Sequence, residues 1–220
     1  MDAYAVPKRA AAVEAAARLQ SGMVVGLGTG STSAFAIAEI GRRIAHGELR
    51  DIVGIPTSNR AHRLALEHGI PLATLESHPV VDVTIDGADE IDPERRVLKG
   101  AGGALLREKI VAARSRRWIV IADESKLTPR LGTRHPLPVE VVRFGWRGQL
   151  DTLRELGADA ALRMGDAESP FVTDEGHYII DARFPDGIGH PAALAEALRH
   201  RPGVVETGLF LGFSPELIIG

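Results

Sequence analysis

The residues Gly26-Leu27-Gly28-Thr29-Gly30-Ser31-Thr32 join an apolar run, Met23 to Leu27, to a segment whose apolar residues Phe35, Ile37, Ile40 and Ile44 fall close to helical spacing. An apolar run that stops in glycines and restarts as an amphipathic segment reads as buried strand, tight turn, helix. The pattern recurs along the chain. Ile52 to Ile55 reads as strand and Asn59 to Glu67 as helix, Val80 to Ile85 as strand and Gly103 to Ala113 as helix, and Trp118 to Ile121 as strand. Upstream, Pro7 opens an Ala-rich helix over Lys8 to Leu19 that Gly22 ends. Short buried strands alternating with helices belong to a parallel sheet covered on both sides. The expectation is an α/β fold: a mostly parallel, Rossmann-like sheet with helices on both faces.

Beyond Lys126 the texture changes. Leu127 to Pro138 holds three prolines and a glycine, the composition of a crossing between lobes. Val139 to Phe144 is strand-like and Gln149 to Leu156 a short helix ended by Gly157. Phe171 to Thr173 and Tyr178 to Ala182 read as a β-hairpin around Asp174-Glu175-Gly176, followed by a helix over Ala192 to His200. These elements form a smaller α+β lobe. Two late apolar runs, Gly208 to Leu211 and Leu217 to Ile219, can return to the first sheet. The expected division is residues 1–126 with 203–220 as the catalytic domain and 127–202 as the lobe.

Composition narrows the classes. At 220 residues, 45% hydrophobic and 25% charged, the chain is neither disordered nor low in complexity. With no cysteine it has no disulfide framework, zinc ribbon or thiol nucleophile. Its apolar runs stop well short of the ~20 residues of a membrane span, and no signal-type apolar core opens the sequence, so a cytoplasmic setting is expected. A net charge of −3 without blocks of one sign gives no pull toward nucleic acid or a membrane, and the expected partner is a small molecule. Of the 26 basic residues only four are lysines: Lys8, Lys99, Lys109 and Lys126. Where Arg supplies general positive charge, each Lys is a candidate for work that suits a compact ammonium.

Four segments carry chemistry. In the glycine turn at 26–32, backbone N–H groups at the start of the following helix and the Ser31 and Thr32 hydroxyls can hold an anion. The spacing is neither G-x-G-x-x-G nor a P-loop, and the second strand ends in Pro56-Thr57-Ser58-Asn59 without an acid for a ribose, which favours a monophosphate over a dinucleotide. In Asp86-Gly87-Ala88-Asp89-Glu90-Ile91-Asp92, carboxylates follow the end of a strand, where they can hold sugar hydroxyls or shuttle a proton. A hard cation or a solvated acidic turn is the rival reading. Lys99 precedes the glycine-rich turn Gly100-Ala101-Gly102-Gly103, and Glu108 lies about one and a half turns into the next helix, as a general base tuned by apolar neighbours or as a surface Glu paired with Arg107 or Lys109. Finally, Asp123-Glu124-Ser125-Lys126 brings Lys126 to a fourth strand end.

Taken together, the blocks GLGTGST (26–32), PTSN (56–59), TIDGADEID (84–92), LKGAGGALLREKI (98–110), IADESK (121–126) and PVEV (138–141) resemble the type A ribose-5-phosphate isomerase family in order and spacing, most weakly between 145 and 200. The resemblance implies a homodimeric aldose–ketose isomerase that needs no metal or cofactor and interconverts D-ribose 5-phosphate and D-ribulose 5-phosphate in the non-oxidative pentose phosphate pathway. It implies Glu108 as proton acceptor, and the chemistry adds Lys99, to stabilise the enediolate oxygens, and Asp86, to open the furanose ring, as candidate catalytic groups. Thr29, Gly30, Ser31 and Thr32, then Asp86, Gly87, Ala88 and Asp89, then Lys99, Gly100, Ala101 and Gly102, with Lys126 and Lys8, would bind substrate. One departure stands out: Ala101 occupies the middle of a turn that is Lys-Gly-Gly-Gly in the family, so a positive φ there would force a rearrangement. Glucosamine-6-phosphate deaminases and CoA-transferases share this broad architecture, and a non-catalytic sugar-phosphate sensor would keep the anion turn without the base.

Overall fold

The computed structural model describes residues 4–220. In chain order the elements are α1 (Ala5–Ala17), β1 (Val24–Leu27), α2 (Ser31–Ala45), β2 (Val53–Pro56), α3 (Asn59–Glu67), β3 (Val81–Asp86), β4 (Glu90–Ile91), β5 (Val97–Leu98), α4 (Leu105–Ala113) and β6 (Ser115–Ala122). They continue as β7 (Leu137–Val141), α5 (Arg147–Glu155), β8 (Asp159–Leu162), β9 (Tyr178–Arg183), α6 (Pro191–Arg199), β10 (Val204–Thr207), β11 (Leu209–Phe210) and β12 (Glu216–Ile219). The chain forms two compact units. One comprises residues 4–88, 107–126 and 213–220, and the other residues 89–106 and 127–212.

The first unit is built on a five-stranded sheet in the order β12-β6-β3-β1-β2, parallel throughout. Alternate residues of its strands serve opposite faces. Val25, Leu27, Val83, Ile85, Ile119 and Ile121 join a buried cluster with Ala11 and Ala15 of α1 and Ile37 and Ile40 of α2. On the other face, a side chain at Gly26 would collide with Thr84 and with Val111 of α4, so that helix covers the opposite side. Ala11, Ala12, Ala15 and Ala16 of α1, all but inaccessible, let that helix lie close against α2. The expected parallel sheet with helices on both faces is present. β1 lies between β2, which follows it, and β3, which comes later. This reversal opens a crevice beyond the carboxyl ends of β1 and β3, the usual ligand position in such sheets.

The second unit holds a four-stranded antiparallel sheet, β10-β7-β9-β8, and a three-stranded ribbon, β11-β5-β4. Val139, Val141, Ile180 and Ala182 form its core with Leu153, Leu194 and Leu198 from α5 and α6. Four expectations are corrected here. Phe171 to Thr173 is not a strand: β9 pairs with β7 and β8, and the Asp174-Glu175-Gly176 turn leads in from a segment whose Phe171 N–H is held by the Arg163 carbonyl. Gly208 to Leu211 does not rejoin the parallel sheet, since β11 pairs with β5, whereas Leu217 to Ile219 does rejoin it beside β6. Residues 89–106 and 203–212 group with the second unit because β4, β5, β10 and β11 find antiparallel partners there. The helix expected from Gly103 begins at Leu105, which puts Glu108 in its first turn. Two-residue strands such as β4, β5 and β11 are too short to show a sequence period.

Candidate active site

At the carboxyl end of β1 the chain turns at Gly28 because Asp86, at the end of β3, is already there. A Cβ on Gly28 would lie 2.2 Å from Asp86 Oδ1 and 2.6 Å from its Cα, so only glycine fits. Gly30, at φ 122°, caps α2 in a conformation other residues avoid. Asp86 is fully buried, and its Oδ1 accepts from the Thr29 amide (3.1 Å), the Ser33 hydroxyl (3.2 Å) and the Gly87 amide (2.7 Å). The PTSN block closes the same turn from β2: Thr29 Oγ1 lies 2.8 Å from Thr57 Oγ1 and donates to Ser58 Oγ at 2.7 Å. The Thr57 hydroxyl in turn donates to the Leu27 carbonyl, and the Ser58 hydroxyl caps α3 by accepting from the Ala61 amide. The first turn of α2, with exposed Ser31 and buried Thr32, is thus set at the crevice with its N–H groups outward.

Glu108 lies in the first turn of α4 and is 3% exposed, which removes the surface-Glu reading. Its neighbour Arg107 donates to Asn59 Oδ1 at 3.2 Å, tying the start of α4 to the start of α3 on the carboxyl edge of the sheet. Lys126 closes a single 3-10 turn after β6. Asp123, buried, accepts from the Ser125 amide (3.0 Å) and hydroxyl through Oδ1, while the Lys126 amide donates to the Asp123 carbonyl. Lys8 and Lys109 are partly exposed, on α1 and α4.

The second unit carries the remaining candidates. Lys99 follows β5 and is 3% exposed, with its amide held by the Gly208 carbonyl (2.9 Å) and its Nζ 5.9 Å above the centre of the Phe210 ring. The turn after it is left-handed at Gly100 (φ 107°) and Gly103 (φ 77°). Among the described residues Ala101 is not one of those at positive φ, so the substitution for glycine costs no strain. The Ala101 amide donates to Asp89 Oδ2 at 2.9 Å, joining the acidic segment to the Lys-Gly-rich turn.

The family of this chain is settled by comparison with known proteins. The family model for ribose 5-phosphate isomerase A (phosphoriboisomerase A) matches residues 53–220. A ribose-5-phosphate isomerase A from Synechococcus sp. (strain JA-3-3Ab) is 53% identical, over 96% of this chain and 92% of that one. The chain belongs to the ribose-5-phosphate isomerase A family. A solved D-ribose-5-phosphate isomerase in complex with phospho-erythronic acid superposes with a TM-score of 0.94 at 43% identity, covering 97% of this chain and 93% of that one. The ribose 5-phosphate isomerase A of Methanocaldococcus jannaschii does so with a TM-score of 0.91 at 41% identity, with the same coverage.

Within this isomerase A chain, several residues have work that the sequence did not disclose. Of the acidic cluster, Glu90 is fully buried and accepts from the amides of Gly132 (2.6 Å), Arg134 (2.7 Å) and His135 (2.6 Å), organising the Pro-rich crossing. Asp92 holds the β4–β5 turn through the Glu94 and Arg96 amides and the Arg96 guanidinium. These two are structural, and their burial rules out a solvated acidic turn. Among the described residues no three His, Cys, Asp or Glu side chains are grouped so as to hold a metal ion, and no helix is long and apolar enough to cross a membrane. A further buried acid, Glu140 on β7, accepts from the Thr173 hydroxyl (2.9 Å) and lies 3.0 Å from His177 Nδ1. Burial pushes its carboxyl above the usual range, against the pull of those two partners.

Proposed function

We infer that this chain interconverts D-ribose 5-phosphate and D-ribulose 5-phosphate through a cis-enediolate. The observation that carries this reading is Glu108: a carboxylate sequestered from water in the first turn of a helix, on the sheet edge that also bears the anion turn of α2. Aldose–ketose isomerisation needs one base that removes the C2 proton of the open-chain sugar and returns it to C1. Between these two transfers the electron pair forms the C1–C2 double bond, and a hydroxyl proton passes from O2 to O1. One carboxylate serves both transfers.

In this reading the Thr29–Thr32 turn, with Lys8 and Lys126 as compact charges, binds the phosphate and sugar hydroxyls, and that binding holds the reacting carbons in place. Lys99 and the Gly100–Gly102 amides stabilise the negative charge that develops on the enediolate oxygens. Asp86, Gly87, Ala88 and Asp89 contact the sugar, with Asp86 the candidate for opening the furanose ring. No cofactor takes part. The resemblance supports a homodimer in the cytoplasm as the working state, acting in the non-oxidative pentose phosphate pathway.

The phospho-erythronic acid bound by the related isomerase offers a probe. Its planar carboxylate presents two oxygens in place of those on the enediolate, so it should compete with ribose 5-phosphate here. Formation of ribulose 5-phosphate is assayed directly with the wild type and Glu108→Gln. Turnover should fall by ~10² or more while affinity for phospho-erythronic acid changes only a few fold. Near-normal turnover in the variant would overturn the assignment of the base. EDTA should leave the rate unchanged, and a loss restored by a divalent ion would replace this mechanism with a metal-assisted one.

A further inference from the structure

The Lys-Gly-rich turn is gripped from behind by a residue far away in sequence. Arg163, just after β8, is largely buried. Its Nε and Nη2 fork onto the two oxygens of Asp181 on β9, at 2.9 and 2.5 Å. Its remaining nitrogen, Nη1, donates to the carbonyls of both Gly100 (2.8 Å) and Ala101 (3.1 Å). The guanidinium also lies 5.8 Å from the centre of the Phe171 ring, and that ring sits where a Cβ on Gly103 would be, 2.4 Å from its nearest atom. The segment after Arg163 folds back to deliver Phe171 to this place, with the Phe171 amide on the Arg163 carbonyl.

A peptide plane has its carbonyl and the next N–H pointing opposite ways. With the carbonyls of Gly100 and Ala101 drawn to Arg163, the amides of Ala101 and Gly102 must face away from it. The first of these is seen to do so, since it reaches Asp89. We propose that Arg163, held in orientation by Asp181, is a positioning residue for the isomerase: it fixes the Lys99–Gly102 turn with its amides presented together on the Asp89 side. A guanidinium suits this work because its planar fork serves a carboxylate and two carbonyls at once, which an ammonium cannot do. The inference rests on the reading that this turn binds substrate.

The readout is the inhibition constant of phospho-erythronic acid alongside KM for ribose 5-phosphate, because neither depends on what fraction of the enzyme is folded. Arg163→Met and Arg163→Lys are compared with Ala101→Pro, which deletes one amide of the turn directly. Both Arg163 variants should raise the inhibition constant by ~10-fold, the scale of losing one hydrogen bond to a charged group, and KM by less, with Lys failing to rescue. If Ala101→Pro weakens inhibition and neither Arg163 variant does, the positioning role is overturned while the turn keeps its place in the site. If none of the three weakens inhibition, the substrate-binding reading of the turn fails, and the role of Arg163 falls with it.

Discussion

The two glycine-rich turns of this isomerase are fastened by opposite charges. In the turn after β1, a carboxylate collects N–H groups and hydroxyls: Asp86 Oδ1 accepts from Thr29, Ser33 and Gly87. In the turn after β5, a guanidinium collects carbonyls: Arg163 holds Gly100 and Ala101. The first fastener consumes part of the turn's donor capacity and leaves the helix N-terminus of α2 to meet an anion. The second consumes only acceptors and turns the donors to the opposite side, where the Ala101 amide meets Asp89. The pair shows two ways of directing backbone N–H groups, one relying on the helix that follows and the other on turning the peptide planes over.

That contrast can be broken at several points, beginning with the largest expected effect. Asp86→Ala leaves three donors of the first turn without their acceptor, two of them backbone amides, and should cost about 3 kcal/mol in urea-induced unfolding. A loss within the ~0.5 kcal/mol typical of surface changes would mean the turn holds its shape without the carboxylate. Lys99→Arg keeps the charge but must fit a larger planar group where the lysine is almost wholly enclosed, and should lower turnover by ~10-fold or more. Full activity in that variant would return the scarcity of lysine to mere composition.

Glu140 offers a milder test of how the antiparallel unit treats a buried acid, compared with the hydrogen-bonded Asp86. Its folded-state pKa lies above the ordinary 4.5, chiefly because of burial. The folded protein therefore binds that proton more tightly than the unfolded chain. The associated stability is full below pH 4.5 and is lost as pH rises through the folded-state pKa. Glu140→Gln has no such loss, so its Tm relative to wild type should rise as pH increases from 4.5; a difference that stays constant with pH would show that burial does not raise the pKa of this carboxyl. Smallest of all, Ala101→Gly should cost about 0.5 kcal/mol through the unfolded chain and leave inhibition by phospho-erythronic acid unchanged, since Ala101 is not at positive φ.

How much of this was legible beforehand differs between the same two turns. The first could be read for its residues, because Gly28, Gly30, Thr57, Ser58 and Asp86 all sit close to strand ends that the apolar runs marked out, but not for the hydrogen bonds by which Asp86, Thr57 and Ser58 fasten it. The alternation of strand and helix also gave α3 with its ends correct. The second turn could be read only on its front side. Nothing near Lys99 points to Arg163, about sixty residues on, and the hairpin expected at Phe171 misread a segment whose ring instead fills the space over Gly103. Glu90 and Asp92 looked like ligands or solvated acids until burial showed them holding backbone amides.

The amino-acid sequence by itself determined the parallel α/β layout and the glycine turn after β1, and it singled out the lysines and Glu108 as candidates, because strand periodicity, glycine placement and residue chemistry act over a few neighbouring positions. The tertiary structure alone decided which unit owns β4, β5 and β11, that Glu108 is buried in the first turn of α4, and that Arg163 and Asp181 support Lys99's turn. Those outcomes depend on antiparallel pairing and on side chains meeting across long stretches of chain. Such contacts follow from how the whole core packs, and no local pattern records them.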